Sequence, residues 1–118
     1  FTVLSERATP STFTHNAWPN ANDTIAVTTD ERAGAVVRFW NISNPANPVG
    51  LGTFTPNANS IPHNAFIVGD VCHVAWYTEG YRAIDISNPN QPVEIGSYDT
   101  WPGASGGFNG AWGCYPFQ

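Results

Sequence analysis

The chain has 118 residues and a formal net charge of −5, with no lysine and four arginines as its basic side chains. This charge, together with the absence of a basic cluster, excludes nucleic acid and anionic membranes as partners. No apolar run approaches the roughly 18 residues that a membrane span needs, and an aromatic content of 14% predicts a folded domain rather than a disordered tail.

Repeats appear when the chain is compared with itself from its beginning to its end. His15-Asn16-Ala17-Trp18 matches His63-Asn64-Ala65-Phe66 at an offset of 48 residues, and residues 38–54 match residues 82–98 at an offset of 44, with eight of the 17 positions identical. A third copy begins near residue 108, where Phe108-Asn109-Gly110-Ala111-Trp112 has asparagine in the place of the histidine. A repeat of this length indicates a β-propeller, a solenoid or an array.

The second repeat shows what one copy forms. Its alternating side chains and turn residues predict four short strands, over residues 63–68, 71–77, 81–86 and 92–98. Four antiparallel strands are one β-propeller blade, whereas a two-sheet sandwich explains the strands but not the repeat.

The predicted fold is therefore all-β, with β-propeller blades of four antiparallel strands over residues 14–55 and 62–100 and the start of the next blade over 108–118. These two and a half blades, over residues 1–118, make a partial propeller, because closure takes about four blades or more. The missing blades are expected in further sequence of the same protein or in other protein chains. A chain that begins at Phe1 without methionine is expected to be a processed product or a fragment of a larger exported protein.

The ends of the repeats resemble a known family. Residues 39–45 (Phe-Trp-Asn-Ile-Ser-Asn-Pro) and 83–89 (Ala-Ile-Asp-Ile-Ser-Asn-Pro), each followed by x-x-Pro-Val and a glycine, resemble the LVIVD-repeat family. Residues 63–66, 77–82 and 107–117 are similar to blocks of its choice-of-anchor B members. The resemblance implies a β-propeller on a bacterial protein that is extracellular, periplasmic or at the cell surface, and it implies no activity.

Two histidines are the candidate metal ligands. His15 and His63 occupy equivalent positions at the start of the innermost strand of each blade. Equivalent residues of the inner strands converge on the axis of a closed propeller, where a ring of imidazoles would bind copper or zinc, or an anionic ligand. The alternative is that each histidine hydrogen-bonds the backbone of the neighbouring blade and fixes blade stacking, which Asn109 in the third copy favours.

Three further residues are candidates for ligand binding. Glu79 lies at a turn, and Asp30 lies with Glu31 in a longer loop, so these carboxylates either hold calcium, act as acid and base, or are solvated turn residues. Trp101, in a loop predicted to be exposed, offers a flat face to a sugar or a protein.

The two cysteines, Cys72 and Cys114, fit no zinc-binding spacing. Export favours a disulfide, and neighbouring blades would bring the two residues together, while two buried free thiols are the alternative. No Ser-His-Asp set, phosphate loop or nucleophile elbow is present, so the sequence predicts no catalytic residue.

Three functions fit these patterns. The favoured hypothesis is an exported or cell-surface β-propeller that acts as a binding or protein-interaction scaffold. The alternatives are an accessory structural subunit of a larger assembly and a metal-dependent enzyme with a histidine site in the central channel.

Overall fold

The computed structural model describes residues 1–116, which contain eight β-strands and no α-helix. Residues 117 and 118, the end of the predicted third blade, lie outside the described residues. The strands are β1 (Thr14–Pro19), β2 (Ile25–Asp30), β3 (Val37–Asn41), β4 (Val49–Phe54), β5 (Ala65–Val68), β6 (Val71–Ala75), β7 (Tyr81–Asp85) and β8 (Val93–Tyr98). Within the described residues, no helix provides an apolar stretch that would cross a bilayer.

Each repeat forms one four-stranded antiparallel sheet. The strand orders are β1-β2-β3-β4 in the first sheet and β5-β6-β7-β8 in the second, so neighbours in sequence are also neighbours in space. The predicted all-β fold with four-stranded antiparallel units is confirmed. Among the described residues after residue 100, Ala111 forms an isolated antiparallel β-bridge with Tyr77.

The turns between the third and fourth strands are built in the same way in both sheets. Asn41 Oδ1 accepts a hydrogen bond from the Ser43 N–H at 3.0 Å, and Asp85 Oδ1 accepts one from the Ser87 N–H at 2.8 Å. Short polar side chains favour such turns because they bond to the backbone two residues later. The Ser87 N–H stabilises the charged carboxylate and thereby lowers the pKa of Asp85.

The hydrophobic core lies between the two sheets. Val27 and Phe39 of the first sheet pack in one cluster with Val74 and Ile84 of the second, and all four side chains are fully buried. Val27 and Phe39 are opposite each other in the β2–β3 pair and therefore point to the same side of the sheet. Full burial of each such side chain stabilises the fold by roughly 1.5–3 kcal/mol.

The two sheets contact each other through different faces. The cross-strand pair Ala26–Trp40 in the first sheet corresponds to the pair Cys72–Ile84 in the second. Ile84 faces the first sheet. Trp40 follows Phe39, which faces the second sheet, so Trp40 lies on the face of the first sheet that points away from the second. Propeller blades stack by repeating one such contact from each blade to the next.

A glycine allows the sheets to approach closely at their outer strands. The Gly52 N–H donates to the Pro89 carbonyl oxygen at 2.9 Å. A Cβ atom at Gly52 would lie 2.6 Å from Pro92 Cδ and 2.7 Å from the Asn90 carbonyl oxygen. Any larger residue would therefore push the two sheets apart at this contact.

Residues 1–13 form an N-terminal arm that lies along the first sheet. Ser5 Oγ donates to the Pro45 carbonyl oxygen at 2.7 Å, and Arg7 Nε donates to the Pro48 carbonyl oxygen at 3.1 Å. The arm then reaches Asp30 at the end of β2. It therefore contacts both ends of the first sheet before the chain enters β1.

Candidate functional site

His15 and His63 lie side by side where the two sheets meet. His15 is in β1, and His63 comes two residues before β5, where its N–H donates to the Ala75 carbonyl oxygen at 2.9 Å. Their rings are stacked, with centroids 4.0 Å apart and planes inclined by 27°. The structure thus brings together the two histidines that the repeat made equivalent.

Glu31 joins the two rings. Its Oε2 lies 3.2 Å from His15 Nδ1, and its Oε1 lies 3.6 Å from His63 Nε2. One donor atom from each of the three residues lies within 4.8 Å of the others. Two imidazoles and a carboxylate at this separation form a donor set suited to a transition-metal ion.

The other ring nitrogens contact the following repeat. His15 Nε2 lies 3.2 Å from Asn64 Oδ1, and His63 Nδ1 is hydrogen-bonded to the Trp112 carbonyl oxygen. The two residues of each pair are 49 positions apart in the sequence, so the two contacts are equivalent. The predicted contact of a histidine with the neighbouring backbone therefore exists at His63, alongside the convergence of the two rings.

Tyr77 contacts both Glu31 and His63. Its hydroxyl donates to Glu31 Oε1, and its ring centroid lies 5.0 Å from that of His63. Burial and the Glu31 carboxylate both disfavour the phenolate and raise the pKa of Tyr77. Tyr77 also has a φ of +32°, which is unusual for a bulky residue and is typical of functional or strongly constrained positions.

Asp30 is not at an exposed hairpin tip, where the sequence placed it. The side chain is 1% exposed. Its Oδ1 accepts the Thr9 hydroxyl at 2.5 Å and the Phe13 N–H at 3.2 Å, while its Oδ2 accepts the Ser11 N–H at 2.6 Å. Its oxygens are thus engaged in holding the N-terminal arm.

The carboxylate of this segment that reaches the histidines is Glu31, which the sequence analysis paired with Asp30 but did not select. Successive side chains of a strand point to opposite faces. Thr29 Oγ1 donates to the His63 carbonyl oxygen at 2.6 Å, so the next residue on that face after Thr29 is Glu31. The period of two along β2 was the signal that would have identified it. No comparable signal in the sequence pointed to Tyr77.

Glu79 lies in the turn between β6 and β7, and Trp101 lies in the loop that follows β8. Glu79 accepts the Ser105 hydroxyl at 2.5 Å and lies 3.6 Å from Arg82 Nη2. Trp101 is half-buried rather than exposed, because it packs so closely on Gly103 that a Cβ there would lie 2.4 Å from the indole nitrogen. Within residues 1–116, no hydrogen bond or ion pair joins Asp30, Glu79 and Trp101 into one site.

The sequence left a disulfide and two free thiols as alternatives, and both cysteines are free thiols in this structure. Cys72 is opposite Ile84 on the face that packs against the first sheet, and it is fully buried. Burial raises the pKa of Cys72 and raises that of the half-buried Cys114 to about 11. Both groups are therefore weak nucleophiles at neutral pH.

The third histidine is separate from this cluster. His73 Nδ1 lies 2.7 Å from the Tyr81 hydroxyl, and the two rings are stacked with centroids 6.0 Å apart. Burial disfavours the charged imidazole and lowers the pKa of His73.

Comparison with known proteins bears on the second sheet. Neither the search of curated proteins nor the search of solved structures gave a match. The family model of the LVIVD repeat matches residues 64–100, a range that contains all four strands β5 to β8. The second sheet of this protein is therefore similar to an LVIVD repeat, as the motifs of the sequence indicated.

Proposed function

We propose that the protein is an exported or cell-surface β-propeller whose stacked blades act as a binding scaffold for other protein segments. The observation that carries the proposal is the face of the first sheet that points away from the second, here called the outer face, with residues Ala26, Thr28, Arg38 and Trp40. It corresponds to the face by which the LVIVD repeat packs on the first sheet. A surface of this kind fits another blade.

The chemistry of the outer face indicates what its partner supplies. Trp40 Nε1 donates to Thr28 Oγ1 at 2.9 Å, and the Arg38 guanidinium carbon lies 5.7 Å from the centre of the Trp40 ring. Among the described residues, Arg38 Nε is buried without a hydrogen-bond partner. A buried donor without an acceptor costs about 1–3 kcal/mol, and the Arg38 side chain is half-buried, so a partner whose acceptor draws the guanidinium outward gains affinity there.

Arg82, the equivalent of Arg38 in the second repeat, shows which acceptor is suitable. Arg82 Nη1 lies 3.2 Å from Glu94 Oε2, and Glu94 is opposite Ile84 in the β7–β8 pair. The corresponding residue of the first sheet is Gly50, which is opposite Trp40 in the β3–β4 pair. The first sheet therefore lacks the carboxylate that its neighbour carries. A strand or blade with an acidic residue at this level is the partner that the outer face fits best.

Export is supported by the family resemblance rather than by the geometry. LVIVD repeats of the choice-of-anchor B type imply a bacterial secreted or surface protein, and the acidic, lysine-free composition is compatible with that location. The alternative of an accessory structural subunit uses the same outer face and differs in that the face would be permanently covered by one partner.

Self-association tests the scaffold proposal, because a second copy of the chain offers a blade to the outer face of the first. Sedimentation velocity over a range of concentrations is expected to show reversible association that Ala26→Arg abolishes, since the new charge stands on the half-buried outer face. Ala46→Arg, which adds the same charge to an exposed turn, serves as the matched control and is expected to associate like the wild type. A wild-type chain that stays monomeric at all concentrations, or equal association of both variants, would refute the proposal.

A further inference from the structure

We propose that His15, Glu31 and His63 form a binding site for a divalent first-row transition-metal ion, with Zn²⁺ as the ion that tests it. The donors are His15 Nδ1, His63 Nε2 and the Glu31 carboxylate. The site goes beyond a scaffold role, and it does not depend on any partner at the outer face.

Hydrogen-bond accounting is the first argument for a cation. The Trp112 carbonyl oxygen can only accept, so the proton of a neutral His63 ring lies on Nδ1. Asn64 Oδ1 lies 3.2 Å from His15 Nε2, and as the acceptor of this pair it takes the proton that His15 carries on Nε2. Both remaining nitrogens then direct lone pairs at Glu31, which itself carries a negative charge.

A proton on one of the two rings would satisfy one contact with Glu31 and leave the lone pair of the other ring facing the carboxylate. A single divalent ion between the rings and the carboxylate satisfies all three donors at once.

The spacing of the donor atoms is the second argument. Zn²⁺ binds nitrogen and carboxylate oxygen at about 2.0–2.2 Å, which separates tetrahedral ligands by roughly 3.3–3.5 Å. The distances of 3.2 Å from Oε2 to His15 Nδ1 and 3.6 Å from Oε1 to His63 Nε2 are close to this value, each measured to a different oxygen of the Glu31 carboxylate. The third pair of donors lies within 4.8 Å, so a small rotation of one ring closes the set.

The surroundings of the donors are the third argument. Ligand histidines usually donate their second N–H to a carbonyl or carboxylate oxygen, which fixes the tautomer and the ring orientation. Asn64 Oδ1 and the Trp112 carbonyl oxygen serve this purpose here, and the Tyr77 hydroxyl orients Glu31. Each of the three donors is thus held by a residue outside the set.

One coordination position is left for solvent. The His15 side chain is 31% exposed and that of Glu31 is 22% exposed, so the site opens to water on one side. Three protein ligands with a water in the fourth position are the arrangement found in catalytic rather than structural zinc sites.

Isothermal titration of Zn²⁺ into the metal-free 118-residue chain tests the site. One ion per chain is expected, and His63→Ala is expected to weaken binding at least about 100-fold because a direct ligand is lost. Tyr77→Phe removes the bond that orients Glu31 and is expected to weaken binding about 10-fold. His73→Ala and Cys114→Ser are the controls, since both leave the donor set intact and are expected to keep wild-type affinity.

A second ligand variant guards against loss of folding. His63→Ala also removes the bond to Trp112, whereas His15 is the more exposed ring, so His15→Gln tests the same site with less disturbance. Both variants are checked by far-UV circular dichroism, and Zn²⁺ is expected to raise the Tm of the wild type but not of either variant. Absence of stoichiometric Zn²⁺ binding by the wild type, or wild-type affinity in a folded His15→Gln chain, would overturn the proposal.

Discussion

At the scale of single residues, His73 shows how one register position changes its chemistry between repeats. It stands opposite Ala83 in β6–β7, as Val27 stands opposite Phe39 in β2–β3. Val27 is buried between the sheets, whereas His73 faces the side where the third repeat begins and bonds to Tyr81.

The lowered pKa of His73 predicts a pH dependence of stability. Between that pKa and the ordinary value of 6.5, the unfolded chain binds a proton that the native chain does not. The contribution is therefore complete above about pH 6.5, and it is lost as the pH falls toward the folded-state pKa. We expect urea titrations at pH 7.5 and 5.5 to show a smaller decrease in the free energy of unfolding for His73→Gln than for the wild type. An equal decrease in both proteins would contradict this assignment.

At the scale of elements, the end of β2 performs two tasks with adjacent carboxylates. Asp30 points to one side and holds the N-terminal arm, while Glu31 reaches the two histidines. The Glu31 N–H also donates to the Phe13 carbonyl oxygen at 3.1 Å, which ties the arm to the same point. The position of the arm and that of the histidine cluster are thus coupled through two neighbouring residues.

Replacing Asp30 is expected to release the arm. Asp30→Ala removes the acceptor of three hydrogen bonds in a buried place, and we expect a loss of about 2–4 kcal/mol in the free energy of unfolding. Limited proteolysis should then cleave within residues 1–13 before any strand. Glu6→Ala, an exposed change in the same arm, is the control and is expected to leave both measurements unchanged. An arm that resists protease in Asp30→Ala as in the wild type would argue against this role.

The sequence predicted those features of the structure that follow from residues close together in the chain. Strand number, turn positions and the Asn41 and Asp85 turns follow from neighbouring residues, and the repeat itself revealed the pairing of His15 with His63. The bond from Tyr77 to Glu31 spans 46 residues, and the bond from His63 to Trp112 spans 49. Such contacts depend on how one sheet sits on the next, which no local pattern encodes. The burial of Asp30 was missed for the same reason, since the arm that covers it has no periodicity.

At the scale of the whole molecule, the two sheets share one hydrophobic core. Their inner faces form one cluster, and Phe54 of β4 packs edge-on against Trp76 with centroids 5.8 Å apart. The proposed metal site and the Gly52 contact lie at other points of the same interface. The proposed metal site therefore depends on the packing of one sheet against the other, whereas the outer face lies on the opposite side of the first sheet.

Phe39 tests this dependence, because it is a fully buried residue of the first sheet in the shared core. We expect Phe39→Ala to lower the free energy of unfolding by about 3–5 kcal/mol, through lost burial and the cavity left behind. Hydrogen exchange should show that amides of β6 and β7 lose protection together with those of β2 and β3, although the substitution lies only in the first sheet. Ile95→Ala is the control, since Ile95 is 58% exposed on β8, and a change of less than about 0.5 kcal/mol is expected. If the second sheet kept its protection in Phe39→Ala, that sheet would fold without its neighbour, and the shared core would not be what holds the two histidines together.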